Sequence, residues 1–210
     1  MIVDGWFDWA DRSVPGAPNK IYLAPNAMKG IVCHSAEGWL PYLLADVADP
    51  GSNHSWTGSI ALDGTLYQHY PVTASIWASG SRTANINYIA FEAEGVQPTK
   101  LTKPQEDTCL RIFSDFQLFT GIQLVRQESL FEHNEIATVW SPNAGPTSCP
   151  SNRYDNVFAR LGEIGVDDMT KEELEKILRE EYTIEKNTIP SITKRFGGIS
   201  KATNLSEVPK

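Results

Sequence analysis

Apolar positions in this chain repeat at two different periods, and the change between them marks out alternating strands and helices. The continuous run Ile31-Val32-Cys33-His34 is too short for a helix and reads as a buried strand that breaks into a helix at its carboxyl end. Trp39, Leu40, Leu43, Leu44 and Val47 then fall at helical spacing, with Pro41 tolerable only near the first turn. Residues 59–68 read as a hairpin, because Asp63-Gly64 between apolar runs favours the positive backbone dihedrals of a tight turn. Residues 88–94 predict a third strand. Cys109, Ile112, Phe113 and Phe116 recur at i, i+3, i+4 and i+7 and predict a helix over about 105–119, ended by Gly121. A last helix is expected over 151–161. Strand and helix patterns alternating to about residue 165 predict an α/β domain.

Beyond Gly165 the pattern changes, which divides the chain into a domain at 1–165 and an appended segment at 166–210. Thr170 and Glu173 form a capping-box pair, and Leu174, Ile177 and Leu178 make a narrow apolar stripe, so one helix is expected over 170–182. A helix of that length is marginal alone, which makes it a candidate for self-association or partner docking. From about Thr183 few large apolar residues remain, and Gly197-Gly198 and Pro209 discourage regular structure. That end reads as flexible or partner-dependent.

Composition narrows the class of protein. With 210 residues, 41% of them hydrophobic, the chain can bury one sizeable core. A net charge of -8 argues against a partner bound through its phosphates, so no nucleic acid is expected. The first eleven residues have neither a basic region nor an unbroken apolar stretch, so no Sec signal peptide is expected, and no segment reaches transmembrane length. Three cysteines in a chain this long do not make a disulfide framework, and an odd count leaves at least one thiol for other work.

The candidate chemistry lies in three separated residues. His34 ends the first strand at what should be a cleft, His133 closes the segment Leu130-Phe131-Glu132, and Cys149 sits in Pro146-Thr147-Ser148-Cys149-Pro150. Two imidazoles and a thiolate would hold a tetrahedral zinc with one position open for water or a substrate oxygen, as a hydrolase needs. Taken alone, His34 reads as a core histidine, the usual fate of a histidine in a buried strand. Along the 88–94 strand, Ala90, Glu92 and Glu94 share a face, and two acids on an apolar strand call for a reason. A hydrolase supplies one, since the attacking water must lose a proton and the leaving group must gain one. Periodicity does not choose between Glu92 and Glu94. Cys33 and Cys109 read as core packing. His54 and His69 are expected at loop or edge positions, solvated or touching sugar. The six tryptophans read mostly as core, with one or two available to line a groove.

The order of the stretches Ile-Val-Cys-His-Ser-Ala-Glu-Gly at 31–38, Leu-Asp-Gly-Thr-Leu-Tyr-Gln at 62–68, Ile-Ala-Phe-Glu-Ala-Glu-Gly at 89–95, Glu-His-Asn-Glu at 132–135 and Thr-Ser-Cys-Pro at 147–150 resembles the type-2 N-acetylmuramoyl-L-alanine amidases. That family includes phage lysins and the peptidoglycan recognition proteins. The resemblance covers roughly residues 20–162. It implies a mixed central β-sheet flanked by helices, a Zn2+ ion held by His34, His133 and Cys149, and cleavage of the amide between N-acetylmuramic acid and L-alanine in bacterial cell-wall peptidoglycan. It places the catalytic acid on Glu92, the more so because the position of a tyrosine used by other members falls on Trp56, which cannot exchange a proton. Thr147 matches a position held by lysine or threonine and is implied to hydrogen-bond the developing oxyanion or to position its water. Two histidines frequent in the family are replaced, around Thr57 and at Ala78 or Ser79, so substrate contacts or support of the ligands should differ. Without an export signal, a phage or prophage endolysin would be made in the host cytoplasm and reach the wall through a holin. Two other classes compete: a non-catalytic peptidoglycan-binding module, and a cysteine peptidase using Cys149 with His133 as base.

Overall fold

The structure, a computed structural model, describes residues 1–139 and 147–163. Met1–Arg160 form one compact unit, and Leu161–Glu163, a turn of 3-10 helix, belong to a second. The helix expected over 170–182, the tail after Thr183 and Trp140 lie outside the described residues.

At the centre is a five-stranded mixed sheet in the order β5-β4-β6-β3-β7, built from β3 (Gly30–Ser35), β4 (Gly58–Ile60), β5 (Leu66–Gln68), β6 (Tyr88–Ala93) and β7 (Leu130–Glu132). β4, β6, β3 and β7 run parallel, and β5 pairs antiparallel with β4 through the expected hairpin. Its turn spans the five residues between the last pair, Ile60 and Leu66, with Asp63 Oδ1 accepting from Thr65 N and Gly64 at φ 86°, a positive φ that suits glycine. β3 lies inside the sheet with every residue buried, which is why it reads as an apolar run rather than an alternation.

Parallel neighbours require crossovers, and three helices supply them: α1 (Leu40–Ala48), α2 (Arg82–Asn87) and α3 (Lys103–Thr120). Pro41 sits in the first turn of α1, where its missing N–H costs no helical bond. α3 begins ahead of the expected point because Thr102 and Gln105 form a reciprocal capping box, and it ends at Gly121. One face of the sheet packs Val32, Ala90 and Phe131 against Leu43 and Val47 of α1, Ala84 of α2 and Ile136 of α4 (His133–Val139). Phe113 and Phe116 of α3 are fully buried, each contributing about 1.5–3 kcal/mol of apolar burial. Cys33 and Cys109 are buried free thiols, as expected of core packing.

Several features differ from expectation, among them β7 and α4, which the apolar pattern did not predict. The helix expected over 151–161 shrinks to α5 (Asp155–Ala159), because Ser151 takes φ 60°, a conformation no helix accepts, and Arg153 and Tyr154 turn inward to bond β3. A two-stranded hairpin, β1 (Ile2–Val3) with β2 (Trp6–Phe7), precedes everything the pattern predicted. Its Asp4-Gly5 turn has φ 50° and 84°, the doubly positive geometry for which Asp-Gly is suited. α2 is another unpredicted element, capped by Ser81 accepting from Ala84 N.

His69 also departs from its expected edge position. It is 2% exposed, with Nδ1 2.7 Å from the Val14 carbonyl and Nε2 2.8 Å from Ser59 Oγ. A carbonyl only accepts, so Nδ1 carries the proton, Ser59 donates to Nε2, and Ser59 Oγ receives the Trp56 indole N–H at 2.8 Å. Burial pushes the His69 pKa down to about 4. The unfolded chain therefore binds a proton near pH 6.5 that the folded state refuses, so the contribution is complete above pH 6.5 and is lost as pH falls from there through about 4. Its ceiling is about 3 kcal/mol. Urea unfolding of wild type and His69→Gln at several pH values should show the wild type losing more stability than the variant across that window, a comparison that cancels the other histidines. Parallel pH profiles would disprove this.

Candidate metal centre

His34 is the fifth residue of β3, 1% exposed, and points from the carboxyl end of the sheet. β7 lies beside β3, so His133, the first residue after β7, lands next to it: the two imidazole rings are 4.4 Å apart at their centroids. Cys149 arrives on a loop and is fastened by its sulfur, which accepts from Ser35 N at 3.1 Å, and by its carbonyl, which accepts from Asn134 N at 2.8 Å. One ligand atom from each of His34, His133 and Cys149 lies within 4.8 Å of the others. Zinc holds its donors roughly 3.5 Å apart, given bonds of about 2.0–2.3 Å, so modest side-chain rotation closes the difference.

The donor set suits a metal chemically as well. Among the described residues His34 Nε2 is buried with no hydrogen-bond partner, a costly state for a polar atom that coordination would relieve. Burial pushes the His34 pKa well down, with His133 adding to the effect. Burial also lowers His133, opposed by its hydrogen bond to the backbone of Ser79. Both rings are therefore neutral at pH 7, with a lone pair available. The bond to Ser79 orients the second ring in the way outer partners of metal-binding histidines do.

Glu92 stands opposite His34 in the β3–β6 register, its Oε1 3.6 Å from His34 Nδ1 and its Oε2 buried without a partner among the described residues. Burial, with Glu37 adding to it and Arg153 opposing, pushes its pKa up to about 8. Glu94 differs in kind. Its Oε1 accepts from Leu40 N at 2.9 Å and its Oε2 from Leu62 N at 2.8 Å, so both oxygens hold backbone at the start of α1 and in the hairpin. Thr147 Oγ1 accepts from Cys149 N at 3.1 Å, which leaves its hydroxyl hydrogen to donate elsewhere.

His133 and Thr147 lie on the wall of a cleft of about 540 Å³, which continues over Tyr22, Trp77 and Arg82. Trp77 pairs edge-to-face with Tyr22 at 6.0 Å, and Trp77 Nε1 is buried without a partner among the described residues. His54 borders the same cleft with its side chain 71% exposed. Trp56 is core, as its neighbours dictate.

No family model matches the chain, and no curated protein matches it. Solved structures do. AmpD, as a selenomethionine derivative, superposes with a TM-score of 0.61 at 19% identity over 78% of this chain and 98% of its own. A mutant endolysin from Bacillus subtilis gives 0.56 at 17% identity over 74% and 97%, and the catalytic domain of PlyG gives 0.58 at 14% over 77% and 98%. The chain has the AmpD and endolysin fold. In that fold this chain places His34, His133, Cys149 and Glu92 together near the carboxyl ends of adjoining parallel strands, the usual location of sites in open α/β sheets. Residues that the spacing of apolar positions did not reveal are Ser35, Ser79 and Arg153. The available signal for Arg153 was a charged residue four positions after Cys149, in a stretch that otherwise read as helix.

Proposed function

We propose that this protein is a zinc-dependent N-acetylmuramoyl-L-alanine amidase that hydrolyses bacterial peptidoglycan, of the endolysin type. The observation that carries the reading is the convergence of His34, His133 and Cys149 within 4.8 Å beside a buried carboxylate, Glu92, on a fold shared with AmpD and endolysin catalytic domains. Zinc, held by those three residues, would supply Lewis acidity and lower the pKa of water. The remaining work falls to the chain. Glu92, 3.6 Å from His34 and held protonatable near neutral pH, takes the proton from the attacking water and returns it to the departing L-alanine amine. Thr147 donates its free hydroxyl hydrogen to the oxygen that gains charge. The cleft over Tyr22, Trp77 and Arg82 receives the substrate and offers both apolar and charged contact. Site of action would be the cell wall. Among the described residues no helix is long and apolar enough to cross a membrane, and a phage or prophage lysin would reach the wall through a holin.

A cysteine peptidase needs a thiolate, and here burial, with Glu92 second, pushes the Cys149 thiol up to about 12, the wrong direction for an unassisted nucleophile. One assay separates the classes. Protein purified without added metal should contain one zinc, release L-alanine-terminated peptide from soluble muropeptide, lose that activity in chelator and regain it with zinc. Zinc-free protein that cleaves at the full rate and is stopped by thiol alkylation would instead establish the peptidase. Binding to peptidoglycan with no cleavage by zinc-loaded protein would establish the binding module.

A further inference from the structure

We propose that Arg153 is a positioning residue for the metal centre: it pins the loop carrying Cys149 to the ends of β3 and β6, and through Ser35 it orients the backbone N–H that meets the Cys149 sulfur. The proposal rests on the metal-centre reading above.

Arg153 is 1% exposed. Among the described residues its guanidinium makes four hydrogen bonds: Nε to the Thr99 carbonyl at 2.8 Å, Nη1 to Ser35 Oγ at 2.7 Å and to the Ala93 carbonyl at 3.1 Å, and Nη2 to the Glu94 carbonyl at 2.7 Å. None goes to a carboxylate. A buried guanidinium with no direct counter-charge is a costly arrangement, and the geometry around it supplies a reason for it. Ser35 accepts from Arg153 and donates to Glu37 Oε1 at 2.5 Å, so one hydroxyl bridges a cation and an anion and is locked in orientation by both. The same residue presents its N–H to Cys149 Sγ at 3.1 Å. Tyr154, the next residue, donates to the His34 carbonyl at 2.9 Å. Consecutive side chains of the Cys149 loop thus grip the two consecutive residues of β3 that carry one imidazole ligand and the N–H facing the sulfur.

Gly95 makes room for this arrangement. It has φ +117°, and a Cβ there would sit 2.5 Å from Arg153 Nη2, so both the backbone conformation and the space exclude other residues. The loop needs such a fastening because Cys149, unlike His34, is not held by a strand ladder. Arginine is suited to it, since its planar fork serves several acceptors at fixed angles and lysine's ammonium does not.

The test is zinc affinity of the full-length protein, measured by competition with a chromophoric chelator, together with the sulfur-to-cobalt charge-transfer band of cobalt-loaded protein. Arg153→Met should bind zinc about 10–100-fold more weakly, the usual effect of removing an outer partner of a ligand, with a diminished or shifted band. Arg153→Lys should fall between it and wild type. Ser35→Ala, which keeps the backbone N–H but cuts its link to the guanidinium, should weaken zinc in the same direction by less. If Arg153→Met does not fold, the Lys and Ser35 variants carry the measurement. Wild-type affinity and an unaltered band in both of those variants, whatever their loss of thermal stability, would overturn the proposal and leave Arg153 as an anchor of the fold. A wild-type protein that takes up no zinc and shows no sulfur-to-cobalt band would overturn the metal-centre reading, and this proposal with it.

Discussion

Glu92→Gln is expected to leave zinc bound and lower turnover of soluble muropeptide by roughly 10²–10⁴-fold, the usual worth of a general acid–base group. The substitution keeps the shape of the side chain and removes its ability to take up and give back a proton. Glu94→Gln provides the contrast. Glu94 spends both oxygens on the backbone N–H groups of Leu40 and Leu62, and an amide can accept only one of those bonds while turning an N–H toward the other. Its main cost should therefore be stability, on the order of 1–3 kcal/mol for the unsatisfied group, with a much smaller change in rate. Zinc content, thermal unfolding and initial rates on all three proteins decide the matter. A rate loss for Glu94→Gln exceeding that of Glu92→Gln would reverse the roles assigned along the strand.

Removing a ligand should have a still broader effect. Cys149→Ala and His133→Ala are each expected to lose bound zinc and to fall to background hydrolysis, because two remaining donors do not hold the ion against water. His54→Ala is the matched control: it changes a histidine that is 71% exposed at the rim of the same cleft and should retain one zinc per chain. Metal analysis after desalting, run beside the activity assay, reads both outcomes. Full zinc content in Cys149→Ala would remove the thiolate from the ligand set.

The two inner strands carrying His34 and Glu92 were readable because buried parallel strands are mostly apolar runs, as 31–34 and 88–94 are; β7, three residues long, was not. α3 was readable because a single helical stripe, Cys109, Ile112, Phe113 and Phe116, is buried on one side. What was misread has a common cause. The 151–161 stretch has helical composition, but Arg153 and Tyr154 bond to β3, and those tertiary bonds outweigh a weak local propensity. His69 looked like an edge residue because hydropathy carries no information about Ser59 and Val14, the partners that let it be buried. The β1–β2 hairpin escaped although its Asp4-Gly5 turn signal was present, since two-residue strands leave no period to detect.

By itself, the sequence determined the α/β class, the strands carrying His34 and Glu92, and three residues able to bind a metal, because strand and helix periods and ligand chemistry are local properties. Local pattern left Glu92 and Glu94 equivalent, two acids on one face of one strand. Tertiary structure separated them: β6 ends where α1 and the hairpin approach, so Glu94 meets two backbone N–H groups, while Glu92, two residues earlier, faces His34 across the β3–β6 register with an oxygen left unpaired. The approach of His133 and Cys149 to His34 was decided there too, by the adjacency of β7 to β3 and by Ser35 meeting the sulfur. Contacts between residues a hundred positions apart depend on chain topology, which no window of sequence contains.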